Sequence, residues 1–111
     1  MKALLTLLIT LCSLNLLAQT GEEQLTKQFR QSDKELTKVY NKFKAKLRNS
    51  KDRTTLIESQ TAWLKYRDAN CKFISRVESE GGIVSNKMKI DCMIQTTKDR
   101  ISALKELLSE F

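Results

Sequence analysis

Histidine and proline are both missing from this sequence of 111 residues, and only three glycines are present. Without histidine the chain has no Ser–His or Cys–His nucleophile pair and no histidine ligand for zinc. Because tight hairpin turns depend on glycine and other turn residues, their scarcity argues against a β-rich fold. The residues that are present, 41% hydrophobic with a net charge of +7, predict one small, basic, all-α domain.

An apolar segment opens the chain. Lys2 precedes fifteen mostly apolar residues, 3–17, and the small or neutral residues Ala18, Gln19 and Thr20 follow. This arrangement predicts a secretory signal peptide over residues 1–19 and one exported domain over residues 20–111, in the periplasm or outside the cell. The apolar run is shorter than the roughly 20 residues that a membrane span needs. An uncleaved anchor helix and a lipid anchor at Cys12 are the alternatives.

Apolar residues in the rest of the chain fall three or four positions apart in three successive runs, which is helical spacing. The runs predict a three-helix up-down-up bundle, broken near 49–52 and at Gly81-Gly82. Expected helix caps are Thr20, Thr55, and either Ser85 or Asn86. The predicted core consists of Leu36, Tyr40, Trp63, Ile74, Ile101 and Leu104.

The two cysteines of the exported domain have a symmetric position about the glycine pair. Cys71 lies 10.5 positions before the midpoint of Gly81 and Gly82, and Cys92 lies 10.5 positions after it. If helices 2 and 3 fold back there, both cysteines lie about 16 Å from the turn and can meet. In an oxidising compartment we therefore expect one disulfide joining helices 2 and 3, the alternative being two buried thiols. The disulfide would leave no free thiol as a nucleophile.

The same antiparallel register places Arg100 beside Trp63. Arg67, one helical turn beyond Trp63, is another candidate for a cation–π contact with the indole ring. In the plainer interpretation Trp63 is simply a core residue and both arginines are solvated.

The segment from Gln60 to Cys71 reads Gln-x-x-Trp-x-x-x-Arg-Asp-Ala-x-Cys. Upstream stands Asp33-x-x-Leu36-x-x-x-Tyr40, and downstream stand Gly81-Gly82, Cys92 and Thr97-x-x-Arg100-x-x-x-Leu104. This order of residues resembles the family of LprI-type lysozyme inhibitor domains. The resemblance covers nearly all of the predicted exported domain and assigns a structural role to Tyr40, Trp63, Arg67, Asp68 and Arg100.

The resemblance implies an exported, all-helical bacterial domain with an internal disulfide and a role in blocking host lysozyme. The chain departs from the family pattern in having Thr37 where asparagine is common. It also has no cysteine between Leu25 and Ser32, where many relatives carry an additional one.

An inhibitor of such a glycosidase can insert a turn into the cleft that holds the two catalytic carboxylates. The candidate turns are 49–52 and the turn between helices 2 and 3, although either can be an ordinary solvated connection. A net charge of +6 after signal removal, 20 − 1 − 13, disfavours a strongly basic lysozyme as the partner and favours a neutral or acidic hydrolase. The residues of the candidate binding turn between helices 2 and 3 are Glu78, Glu80, Gly81, Gly82, Ser85 and Asn86.

The alternative function is binding to an anionic polymer or membrane surface of the cell envelope. A basic stretch around the first turn suggests it, although such a stretch can also serve only as a solubilising face. We expect no enzymatic activity, no cofactor, no metal site and no nucleic-acid partner, because no motif for any of these accompanies the charge. The residues of the basic stretch are Lys38, Lys42, Lys44, Lys46, Arg48, Lys51 and Arg53.

Overall fold

The computed structural model describes residues 2–79 and 82–111, with side chains described for 20–79 and 84–111. Three helices follow one another: α1 spans Lys2–Lys46, α2 spans Ser50–Ser79 and α3 spans Gly82–Leu108. A disulfide between Cys71 and Cys92 joins α2 to α3. The predicted all-α, three-helix class with this disulfide is confirmed.

The first helix begins earlier than the sequence predicted. It starts at Lys2, so Thr20 and Glu23 lie inside the helix and the predicted capping box there is wrong. Eight of the sixteen residues 3–18 are leucine, which favours helix, and no proline is present to end it. Removal of the predicted signal peptide would leave residues 20–46 of α1, 27 residues (46 − 20 + 1), which equals the length of α3.

The short connection between α1 and α2 is closed by two polar side chains. The backbone N–H of Lys51 donates to Oδ1 of Asn49 at 2.8 Å, so Asn49 is the N-cap of α2. Nη1 of Arg53 donates to the carbonyl oxygens of Leu47 (2.8 Å) and Arg48 (3.0 Å), two acceptors that the end of α1 leaves open. The prediction that Thr55 caps α2 is wrong, because its hydroxyl donates to the carbonyl of Lys51 inside the helix.

Contacts along the bundle fix the direction of each helix. The Cα atoms of Cys71 and Cys92 are 5.6 Å apart, as the predicted antiparallel register of α2 and α3 requires. Helix α1 packs against α3 in the parallel direction, since Phe43 meets Phe111 with ring centroids 5.4 Å apart. The up-down-up arrangement follows, with α3 packed closely against both other helices.

Apolar side chains fill the half of the bundle near the α1–α2 connection. Of the predicted core, Leu36, Ile101 and Leu104 are buried there. Tyr40 and Trp63 are only partly buried and pack against this cluster, while Ile74 is partly buried outside it. The other half of the described interior is more polar. It contains the disulfide and buried Ser32, Arg67, Ser75 and Thr97, while buried Gln60 lies beside Leu36 at the border of the two halves. The residues of the apolar cluster are Leu36, Val39, Phe43, Leu47, Leu56, Ile101 and Leu104.

Candidate functional site

A buried arginine connects the three helices at the polar half of the bundle. Arg67 of α2 is only 5% exposed. Its Nε donates to Asp68 at 2.9 Å, and its Nη1 donates to Asp33 of α1 at 3.0 Å and to the Thr97 hydroxyl of α3 at 3.2 Å. Burying a guanidinium is costly unless it is paired and hydrogen-bonded, and these three acceptors meet that requirement.

Aromatic rings extend this group. The guanidinium carbon of Arg67 lies 5.1 Å from the centre of the Phe29 ring and 5.4 Å from that of the Trp63 ring. Arg100 of α3 lies 5.7 Å from the same indole, so both cation–π contacts that the sequence suggested for Trp63 are present. We use the name arginine cluster for Phe29, Asp33, Trp63, Arg67, Asp68, Thr97 and Arg100.

Arg100 is held on its other side by α2. Its Nε donates to Oε1 of Gln60 at 3.1 Å, and its Nη2 donates to the hydroxyl of Ser59 at 3.3 Å. Desolvation by burial lowers the pKa of Arg100, but a guanidinium stays protonated at any physiological pH. Arg100 therefore contributes a permanent charge and two directed donors to the α2–α3 contact.

The arginine cluster has the properties of a structural joint. Among the described side chains, every buried nitrogen and oxygen atom has a hydrogen-bond partner, so none is left aimed at a ligand. The residues of the LprI-like sequence motif that meet in the arginine cluster come from all three helices. Tyr40 makes a different contact, since Nζ of Lys44 lies 5.2 Å from the centre of its ring. Phe29 was missed by sequence analysis because nothing distinguishes it from an ordinary core aromatic residue.

The candidate binding turn lies at the far end of the α2–α3 hairpin. Glu80 and Gly81 fall outside the described residues, and Gly82 begins α3. Glu78 and Asn86 are exposed and Ser85 is partly buried. The prediction that Ser85 or Asn86 caps α3 is wrong, because α3 already begins at Gly82 and both residues lie inside it.

One hydrogen bond joins the two helices that carry this turn. The carbonyl oxygen of Ser75 accepts hydrogen bonds from the hydroxyls of Ser79 and Ser85, the latter at 3.4 Å from across the hairpin. Val77 and Val84 flank the turn and are 63% and 62% exposed. The described part of this end is therefore braced at its base and apolar at its sides, with Glu78 in solvent.

The predicted basic stretch around the first turn is not wholly exposed. Lys38, Lys42 and Lys46 are exposed on α1. Lys44, in contrast, lies against Tyr40, and Arg53 is occupied by the carbonyl oxygens at the end of α1. Only part of the stretch is therefore free to meet a partner.

Within residues 20–79 and 84–111, no helix is long and apolar enough to cross a membrane. No group of three or more Cys, Asp or Glu side chains in the described part of the chain is arranged to hold a metal ion.

A model of the family described as "Lysozyme inhibitor LprI" matches residues 16–104, which include the whole arginine cluster and both bonded cysteines. The comparisons with curated proteins and with solved structures gave no match. Since the family model covers most of the 111 residues, the chain belongs to the LprI family of lysozyme inhibitors.

Proposed function

We propose that this protein is an exported, non-catalytic inhibitor of a lysozyme-type peptidoglycan hydrolase. The observation that carries the proposal is membership in a family described as lysozyme inhibitors. The apolar segment at residues 3–17, which has the layout of a signal peptide, supports export to the compartment where such hydrolases act.

We further propose that the end of the α2–α3 hairpin contacts the enzyme. The disulfide and the Ser75–Ser85 hydrogen bond fix the two helices on either side of the turn. Helix ends held in this way lose little conformational freedom on binding, which favours affinity. Val77 and Val84 offer apolar contact area beside the turn. The arginine cluster, in contrast, is centred on buried Arg67 and acts as the joint that holds the hairpin on α1.

The charge of the residues near the turn also bears on contact between the enzyme and this end of the molecule. Glu78, followed in the sequence by Glu80, places acidic residues on a chain whose net charge is +7. Complementary charges speed encounter between proteins, whereas like charges slow it. A basic lysozyme would therefore meet favourable charge at this turn and unfavourable charge over most of the remaining surface. A neutral hydrolase would avoid that conflict, whereas an acidic one would be attracted by the net charge of the chain but would meet like charge at Glu78.

The test is a peptidoglycan-hydrolysis assay with lysozymes of low, neutral and high net charge, at low and moderate salt. We expect saturable inhibition that survives moderate salt for at least one of them. If Glu78 lies at the contact, Glu78→Lys should weaken inhibition of a basic enzyme about tenfold and strengthen inhibition of an acidic one. The matched control is Glu58→Lys, which makes the same charge change at an exposed position of α2 far from the turn.

Absence of inhibition, or slowing that follows only the charge of the substrate and disappears with salt, would overturn the inhibitor proposal. An equal effect of the two variants on inhibition would overturn the assignment to the turn while leaving inhibition itself established.

A further inference from the structure

Four lysines follow one another at intervals of four residues along α1: Lys34, Lys38, Lys42 and Lys46. All four are exposed. Each step advances about 6 Å along the helix and turns about 40° around it, so the four charges form a gently winding line about 18 Å long. We call this line the lysine row.

No acidic partner neutralises the lysine row among the described residues, where the three ion pairs all involve other cations. Glu35, an acidic residue next to Lys34 on α1, already pairs with Lys105 of α3 at 3.0 Å. Like charges four residues apart destabilise a helix, so the stability of α1 does not explain the row. The arrangement is instead what an external anion would require.

A groove between α1 and α3 runs beside the row. It has a volume of about 560 Å³. Three of the four lysines of the row line it together with Lys105, and Val39 supplies an apolar wall. The groove therefore offers room for a chain that bears anionic groups to lie along the helix. Its lining residues are Gln31, Lys34, Glu35, Lys38, Val39, Lys42 and Lys105.

Two observations decide what kind of anion fits. A helix that lies in a membrane surface needs large apolar side chains next to its basic face. The exposed large apolar residues of the described chain all lie on α2, on α3 or at Phe111, and none lies on α1. Binding to single-stranded nucleic acid uses aromatic side chains on which bases stack, and α1 exposes none of these in its described part.

We propose that the lysine row binds a linear polymer with repeated anionic groups, such as phosphates, through charge alone. Lysine suits this role because its ammonium acts as a point charge towards successive anions and demands no fixed geometry. The site is separate from the hairpin turn proposed for hydrolase binding, so the two functions fail or succeed independently.

The experiment measures binding of the protein to long-chain inorganic polyphosphate across a series of salt concentrations. For a flexible anionic chain, the logarithm of the binding constant falls with the logarithm of salt concentration by about 0.7 per contacted phosphate. Four lysines predict a slope of about −2.8. The triple variant K34Q/K38Q/K42Q leaves one lysine of the row, so its slope should fall to about −0.7 and its affinity at low salt should drop at least about tenfold.

The matched control is K51Q/K65Q/K72Q, which removes three exposed lysines of α2. Both triple variants lower the net charge from +7 to +4. The control should keep most of the affinity and a slope close to that of the unmodified protein. Equal losses in the two variants would overturn the proposal, because they would show that only net charge matters.

A second arm uses vesicles containing 30% phosphatidylglycerol, and a third uses a thymidine oligonucleotide. Tighter binding to either of these than to polyphosphate, with loss in the row variant, would replace the polymer by a membrane or a nucleic acid and refute the assignment. Weaker binding to both supports it.

Discussion

Two carboxylates of α1, Asp33 and Glu35, each meet a cation at 3.0 Å, but the two cations differ in burial. The side chain of Arg67, the partner of Asp33, is 6% exposed, whereas that of Lys105, the partner of Glu35, is 55% exposed. The carboxylates themselves are similarly exposed, at 45% and 53%. The substitutions Asp33→Asn and Glu35→Gln therefore compare one loss of charge in two settings.

Removing the charge of Asp33 should cost the larger free energy of unfolding. Because Arg67 is buried, water cannot replace the lost carboxylate as its partner. The guanidinium therefore loses a charged hydrogen bond worth about 1.5–3 kcal/mol. Asp68 still accepts from it at 2.9 Å, and asparagine offers a neutral acceptor, so we expect a loss near the lower end, about 1.5–2 kcal/mol. Glu35→Gln should cost no more than about 0.5 kcal/mol, because exposed pairs contribute little and Lys105 can be hydrated.

Urea unfolding followed by circular dichroism at 222 nm measures both values. Thermal unfolding should show a midpoint about 6–12 °C lower for Asp33→Asn and little change for Glu35→Gln. Raising the salt concentration should reduce the smaller effect and leave most of the larger one, since buried pairs are screened less. Equal losses of unfolding free energy for the two variants, or a loss for Asp33→Asn that disappears in salt, would refute the reasoning. They would show that burial of Arg67 does not make the Asp33–Arg67 pair the more stabilising one.

Two further predictions concern the hairpin. The double substitution C71A/C92A should lower the free energy of unfolding by about 3 kcal/mol, because the bond closes a loop with a sequence separation of 21 residues. Intact mass should show the unmodified protein about 2 Da lighter than its reduced form, and two titratable thiols would contradict the bond. Trp63→Ala should cost about 3 kcal/mol by urea unfolding, near the low end for a tryptophan because Trp63 is only partly buried. Trp63→Phe should cost less, since it keeps a ring beside Arg67 and Arg100; near-normal stability of Trp63→Ala would instead make Trp63 a surface residue and a binding candidate.

The pairing of α2 with α3 was accessible from sequence because one geometric rule governs it. Residues equidistant from a helical turn face each other, and this rule predicted both the Cys71–Cys92 bond and the approach of Arg100 to Trp63. Apolar spacing likewise located Leu36 and Leu104 in the core. Such predictions need only the helical period and the position of the turn between the helices.

The arginine cluster could not be derived in the same way. Whether Arg67 is solvated or buried depends on Asp33 and Thr97, which lie 34 and 30 residues away on other helices. The resemblance identified Arg67 as a motif residue but gave no partner for it. The start of α1 was also misjudged, because Thr20 has the local chemistry of a cap while the leucine-rich segment before it continues the helix. At the connection between α1 and α2, Asn49 rather than Thr55 is the N-cap of α2, because the position of the cap depends on where α1 ends.

The parallel packing of α1 on α3 has a consequence for how the protein reaches its native state. Glu35 meets Lys105 and Phe43 meets Phe111, so the contacts of α1 with α3 join residues about 70 positions apart. Since loop closure over such distances is slow compared with forming a helical hairpin, α2 and α3 are expected to associate first and α1 to dock last. No disulfide in the described residues ties α1 to the others. Native-state hydrogen exchange should therefore find α1 opening as a unit at a lower free energy than the α2–α3 pair.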